Sequence, residues 1–189
     1  MDDQGKLRNR VVAFTSATPG EGVTHVVNTV AKELAAQTQN RVLQVEAAGL
    51  RDLCLTDRSQ VSSYCEETEI DNLLKLSREA AASKVAVIEG SPRATKWDSA
   101  PEYRVDCLKA LRWNFDYVLI DCSSAAVSAD ATTLAPVVDG VVVVVKAAET
   151  RRAEIQRCQQ TIESAGGNFL GFVLNQREYP VPNWIYRIL

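Results

Sequence analysis

Histidine is almost missing from this chain. His25 is the only one in 189 residues, so a metal centre built on imidazole ligands has no material. Cysteine is present but unorganised: Cys54, Cys65, Cys107, Cys122 and Cys158 are odd in number and form no C-x-x-C. That pattern argues against a disulfide framework and a cysteine zinc site, and for a reducing compartment. A basic excess is lacking too. The 21 Lys and Arg against 24 Asp and Glu give a net charge of −3 and a pI near 5.3, which is not the footprint of a nucleic-acid binder. The most apolar stretch, residues 137–148, is broken by Asp139, Gly140 and Lys146 and falls short of the about 20 residues that span a bilayer. Residues 1–10 are mixed in charge and carry no apolar core of a secretory signal. Internal repeats and low-complexity segments are absent. A soluble, cytoplasmic protein is expected, reaching a membrane only through a partner or a surface patch.

What is present is the composition of an ordinary globular protein, with 46% hydrophobic and 24% charged residues. The length suits one domain, residues 1–189, of which 176–189 form a C-terminal tail. Strand and helix patterns alternate. Strands are expected over 10–16, 41–46, 84–89, 115–121, 140–146 and 169–175. Helices are expected from Val23 through Ala35, around Ile70–Ala80, around Val105–Leu111, over 129–135, and over 150–165 with Thr150 as N-cap and Gly166-Gly167 as the stop. Residues 50–68 read as loop with some helix. Near-continuous apolar strands such as Gly140-Val-Val-Val-Val-Val-Lys146 are those of a parallel sheet buried on both faces. The fold class expected is α/β, a mostly parallel central sheet with helices on both faces.

Between the first strand and first helix lies Ser16-Ala-Thr-Pro-Gly-Glu-Gly-Val-Thr-His25. A glycine-rich turn at a helix N-terminus is where backbone N–H groups can cradle phosphates. Against the pattern G-x-x-x-x-G-K-[ST], Gly22 and Thr24 match, while Val23 stands at the lysine and Ala17 at the first glycine. The bare pattern fits a helix-capping turn as readily as a phosphate site.

The order of further motifs adds to this. Thr18-Pro-Gly-Glu-Gly-Val-Thr, the helix containing Asn28, the strand 42–46, Phe115-Asp-Tyr-Val-Leu-Ile-Asp121, Asp139-Gly-Val-Val-Val-Val-Val with Glu149-Thr-Arg-Arg152, and Leu170-Gly-Phe-Val-Leu-Asn175 together resemble the bacterial tyrosine kinases. These are P-loop ATPases of capsule and exopolysaccharide synthesis, related to the MinD and ParA ATPases. The resemblance runs from about residue 10 to 178 and is poor between 49 and 101. It implies a P-loop NTPase-like fold of the deviant Walker A type and ATP or ADP with Mg²⁺ as cofactor. It also implies Gly20, Glu21, Gly22, Val23 and Thr24 around the phosphates and Asn175 near adenine. Thr24 and Asp121 would be metal ligands, and Asp121 with Glu46 the catalytic carboxylates.

Departures from the family pattern point away from turnover. Val23 offers no charge where the family has a lysine, and its apolar branch is expected against the phosphate oxygens. A charge-assisted hydrogen bond contributes about 1.5–3 kcal/mol. The family's second strand ends in Asp-x-Asp; here Glu46 and Ala48 stand at those positions, and a misplacement of about 1 Å can lower a rate roughly a hundredfold. Only Asp121 is intact. The glutamate–arginine helix that builds rings in relatives is not seen, so a monomer or weak dimer is expected. The tail carries Tyr179 and Tyr186 rather than a tyrosine cluster.

Three functional readings follow. The first is a pseudokinase, a regulator or scaffold docking on a membrane-embedded polysaccharide chain-length (co-polymerase) protein or an active kinase paralogue. The alternative is an active ATP-dependent tyrosine autokinase or ATPase in which another cation, such as Arg51, replaces the lysine. A MinD-like positioning protein is the third, less favoured because the paired-lysine loop and an amphipathic targeting helix are missing. Bland readings accompany the remaining residues: Arg151 and Arg152 as a solvated helix start, Cys122 as a packed small residue, His25 as a helix surface residue. Trp184, Ile185, Tyr186, Ile188 and Leu189 are expected to pack on the domain or on a partner.

Overall fold

Valine sets the sheet. β-Branched side chains suit a pleated, buried surface, and the strands here are rich in them. The computed structural model describes residues 9–38, 40–53, 85–88, 104–105, 108–109, 111–112 and 115–177. In chain order the elements are β1 (Arg10–Ser16), α1 (Val23–Thr38), β2 (Val42–Glu46), α2 (Ala47–Leu53), β3 (Val85–Ile88), β4 (Tyr117–Asp121), α3 (Asp130–Leu134), β5 (Gly140–Lys146), α4 (Arg152–Ser164) and β6 (Phe169–Asn175). Residues 104–105, 108–109 and 111–112 are also helical. Among the described residues the strands form one six-stranded sheet in the order β3-β2-β4-β1-β5-β6, and every pairing is parallel.

Both faces are covered, as the apolar strands require. On one face α1 lays Val23, Val26, Val27, Ala31 and Ala35 against Phe14, Val42, Leu119 and Val144; the spacing of these helical residues is that of a single stripe. On the other, Leu108, Leu111, Leu134, Cys158 and Ile162 pack on Val11, Leu43, Ile120, Val141 and Val143. Cys122 is buried and forms no disulfide, His25 is exposed on α1, and Arg151 and Arg152 are exposed.

At the end of the sheet where the strands begin, Asp139 gathers the chain. Its carboxylate accepts from Val11 N–H at 2.6 Å, from Arg112 Nη1 at 2.6 Å and from Arg10 Nη1 at 3.4 Å. Burial works to raise its pKa, but these hydrogen bonds and the charges of Arg112 and Arg10 hold it below the ordinary carboxylate value.

Differences from the sequence expectations are local. Residues 47–53 continue directly from β2 as helix α2, whose last four residues fall in the stretch expected as loop with some helix. Thr150 does not cap α4, which starts at Arg152. Glu154 instead accepts from Arg151 N–H at 3.2 Å, and the Thr150 hydroxyl is engaged elsewhere. The helix stop holds, with Gly166 at φ +82°. The expected helix around 70–80, most of the 50–68 segment and the tail beyond Arg177 lie outside the described residues.

Candidate functional site

Open parallel sheets bind ligands beyond the carboxyl ends of their strands, where the strand order switches direction. Here β1 lies between β4 and β5, so the chain runs outward on both sides of it. A cavity of about 500 Å³ opens at that place. Its walls come from the end of β1 (Ser16), the loop through Gly20, Glu21 and Gly22, the start of α1 (Val23, Thr24), the end of β2 (Glu46), and the end of β4 (Asp121) with the loop after it. The structure therefore brings together Gly20, Glu21, Gly22, Val23, Thr24, Glu46 and Asp121.

The loop is held by side chains from far along the chain. Gly20 and Gly22 take φ of +83° and +84°, a region that disfavours any residue with a Cβ. At Gly22 a Cβ would in addition run into the Asn175 side-chain amide. Asn175, last residue of β6, donates from Nδ2 to the Glu21 carbonyl at 2.9 Å. Gln176 donates to the Gly20 carbonyl at 3.3 Å. Ser16 Oγ donates to the Thr18 carbonyl at 2.8 Å. Glu21 itself turns inward and is 2% exposed. Its carboxylate accepts from Thr18 N–H at 3.0 Å and from the Thr150 hydroxyl, so the glutamate ties the loop to the segment between β5 and α4. Nothing local in the sequence signals this pairing, because its partners are 129 positions apart.

Across the cavity stand the carboxylates. Register places Glu46 directly beside Asp121 on neighbouring strands. Burial pushes the Asp121 carboxyl above its ordinary pKa; a hydrogen bond with the Thr24 side chain works against this, and the charge of Glu46 adds to it. A threonine hydroxyl and carboxylate oxygens are hard donors suited to Mg²⁺. Ser124 also lines the cavity, and its buried hydroxyl has no hydrogen-bond partner among the described residues.

Positive charge is missing from this arrangement. Among the described residues lining the cavity there is no lysine, arginine or histidine. Lys146, close by in sequence to Thr150, pairs with Glu149 at 2.7 Å instead. Arg51 falls in α2, and its side chain lies outside the described residues. The expectation that Val23 lays its branch against phosphates needs correction. Val23 borders the cavity, but it is only 9% exposed and belongs to the α1 core with Phe14, Val26 and Val144. As the first residue of α1 it shares a stripe with Val26, Val27 and Val30, which turns it toward the sheet.

No family model matches the chain. It is similar to two tyrosine-protein kinases named CpsD. The one from Streptococcus pneumoniae is 24% identical over 191 aligned positions, covering 93% of this chain and 79% of the relative. The one from Streptococcus agalactiae is 25% identical over 184 positions, covering 89% and 76%. Among solved structures, the kinase domain of Escherichia coli tyrosine kinase ETK superposes with a TM-score of 0.69 at 20% identity, covering 95% of this chain and 72% of that one. The cell division ATPase MinD of Pyrococcus furiosus superposes with a TM-score of 0.59 at 21% identity, covering 95% and 78%. The chain is thus similar in sequence to these tyrosine-protein kinases and shares the fold of the ETK kinase domain and of MinD.

Proposed function

We propose that this protein is a degenerate member of the capsule and exopolysaccharide tyrosine kinases, a pseudokinase that keeps the architecture and has lost efficient ATP turnover. The observation that carries the reading is Val23, packed into the α1 core where a phosphate-binding cation would stand, in a cavity whose described charged residues, Glu21, Glu46, Asp121 and Asp130, are all acidic. A nucleotide brings several negative charges into that field. Backbone N–H groups of the loop and the start of α1 offer partial compensation. Thr24 and Asp121 are the residues that would hold Mg²⁺, which would supply positive charge against phosphate oxygens. Glu46 lies beside Asp121 but is one methylene longer than aspartate, and Ala48 supplies no carboxylate at all, so a phosphoacceptor hydroxyl is poorly oriented.

Such a domain acts through surfaces rather than through chemistry. In this reading it is a cytoplasmic regulator or scaffold, monomeric or weakly dimeric. Its partner is either a membrane-embedded polysaccharide co-polymerase or an active kinase paralogue. Similarity to the tyrosine-protein kinases CpsD and to the kinase domain of ETK supports the kinase-derived part of this reading. Titration calorimetry with ATP or ADP and Mg²⁺ tests it. No binding is expected at micromolar nucleotide, and no tyrosine autophosphorylation. Micromolar affinity together with turnover abolished by Asp121→Asn favours the second reading, an active ATP-dependent autokinase. That reading draws on the intact loop geometry and the Thr24–Asp121 hydrogen bond.

A further inference from the structure

Among the described residues the sheet ends at β6, whose one neighbour there is β5. Burial alternates along the strand, and Leu170, Phe172 and Leu174 stand out at 53%, 47% and 61% exposure. Register sets Phe172 beside Val143 and Leu174 beside Val145. Both therefore belong to the sheet face that Cys158 and Ile162 of α4 cover, at a margin the helix leaves open. Alternate residues of a strand stand about 6.6 Å apart, so the three side chains make a continuous row of about 13 Å. A contiguous apolar patch rimmed by charge is the mark of an interaction surface.

The charge is on α4, which touches β6. Arg151 and Arg152 open the helix and Arg157 follows within it, all exposed. None of them forms an ion pair among the described residues. The acids nearest in sequence are engaged: Glu149 pairs with Lys146 at 2.7 Å, and Glu154 accepts from the Arg151 N–H at 3.2 Å. Arg151 and Arg152 are also of the wrong sign for their place, because a helix N-terminus carries partial positive charge. Helix stability therefore does not account for them. In a chain of net charge −3 they are a local reversal of sign. Since α4 leads from the end of β5 back to the start of β6, Arg151 and Arg152 lie at the end of the sheet that holds Leu174, and Arg157 lies further along toward the level of Phe172.

An apolar row flanked by unpaired arginines is complementary to a surface that is anionic outside and apolar beneath. A second copy fits less well, because pairing two β6 edges about a two-fold axis brings both sets of arginines to one seam. We propose that the open margin of β6 and the adjoining α4 form a peripheral docking surface for an anionic lipid bilayer. Leu170, Phe172 and Leu174 enter the boundary between headgroups and acyl chains, while Arg151, Arg152 and Arg157 hold headgroup phosphates through long, flexible stems. The inference does not depend on the nucleotide reading.

Co-sedimentation of the full chain with vesicles tests it, using phosphatidylcholine mixed with phosphatidylglycerol against phosphatidylcholine alone. Binding is expected only to the mixed vesicles and should fall as salt is raised. Arg151→Gln/Arg152→Gln/Arg157→Gln should weaken it by about fivefold per charge removed. The same variant should melt at or above the parent's temperature, because the wrong-sign charge at the helix start is gone. Phe172→Ser/Leu174→Ser should lose binding as well; should that variant not fold, the arginine variant alone decides. No binding to mixed vesicles, equal binding to both kinds, or binding that the folded variants retain in full each overturn the proposal. So does a chain that ignores vesicles but forms a dimer that Phe172→Ser/Leu174→Ser abolishes, which assigns the row to a second copy. A chain that ignores vesicles but binds poly-glutamate through the same arginines overturns it equally, and assigns the surface to an acidic polypeptide.

Discussion

Replacing Val23 by lysine puts the proposed loss of nucleotide binding to its most direct test. The change has two effects that pull apart in separate measurements. Val23 is 9% exposed among Phe14, Val26 and Val144, and full burial of such a side chain stabilises by about 1.5–3 kcal/mol. Lysine can leave its stem in the apolar stripe and lift its ammonium into the cavity, so the net loss should be nearer 1 kcal/mol, or about 2–4 °C in melting temperature for a chain of this size. In the cavity the ammonium faces Asp121 and Glu46. With nucleotide present it gains a charge-assisted hydrogen bond of about 1.5–3 kcal/mol, which converts to a roughly 10- to 150-fold gain in affinity. Calorimetry with ADP and Mg²⁺ reads the gain, and a thermal melt without nucleotide reads the loss. Val23→Met serves as the control, apolar and similar in length but uncharged. Turnover should stay negligible, since Glu46 and Ala48 are unchanged. If Val23→Lys folds and binds nucleotide no better than the parent, or if Val23→Met gains as much, the missing charge is not what weakens the site.

Four further perturbations probe the frame around the cavity and the opposite end of the sheet. In EDTA, Asp121→Asn should raise the melting temperature at pH 7 by about 1–3 °C. Burial lifts the folded pKa of Asp121 above its ordinary 3.8, so the native state holds the proton more tightly, the penalty is full above the raised pKa, and it fades as pH falls toward 3.8; a lower melting temperature for the variant at pH 7 contradicts this. Asp139→Asn should behave oppositely, because the Arg112 and Arg10 pairs hold its pKa down: a loss at pH 7 that disappears once pH falls through the lowered folded value, with thermal melts across pH as the check. Glu21→Ala takes the acceptor from the half-buried Thr18 N–H and leaves the Thr150 hydroxyl only the Lys146 carbonyl, a loss of about 1 kcal/mol, and its effect should be non-additive with Thr150→Val in a stability cycle. Gly22→Ala should destabilise clearly more than Gly20→Ala by denaturant titration: both sit at positive φ, but only at Gly22 does the new methyl meet Asn175, whereas at Gly20 nothing lies within 4 Å.

The fold was legible because its signals are local. The run of valines in β5, the apolar stripe of α1 and the glycine stop after α4 each announce an element through neighbours a few residues apart. Asp121 was legible for the same reason, a carboxylate at the end of an apolar strand. The helix over 47–53 was legible only as some helix within 50–68, because Ala47-Ala-Gly-Leu-Arg-Asp-Leu53 is short and has a glycine in its first turn. Thr150 misled for a different reason. A threonine before a helix is a good cap, yet here Glu21, which no local pattern places nearby, takes its hydroxyl. Val23 is the same lesson at the site itself. Its position in the motif suggested phosphates, while its position in the helical stripe, equally visible in the sequence, gave the side chain to the core.

The central place of β1 has a consequence for how the molecule is made. β1 leaves the ribosome long before both its neighbours, β4 and β5, which come from much later in the chain, with Val11 bonded to a residue 128 positions away. Until those strands emerge, Val11, Ala13 and Phe14 have no sheet to enter, and at about 5–20 residues per second that wait lasts several seconds. Closure of so long a loop precedes any reward in contacts. Assembly of the sheet is therefore a late, concerted event in synthesis, and the half-made chain, with β1 still unpaired, is the form most in need of a chaperone.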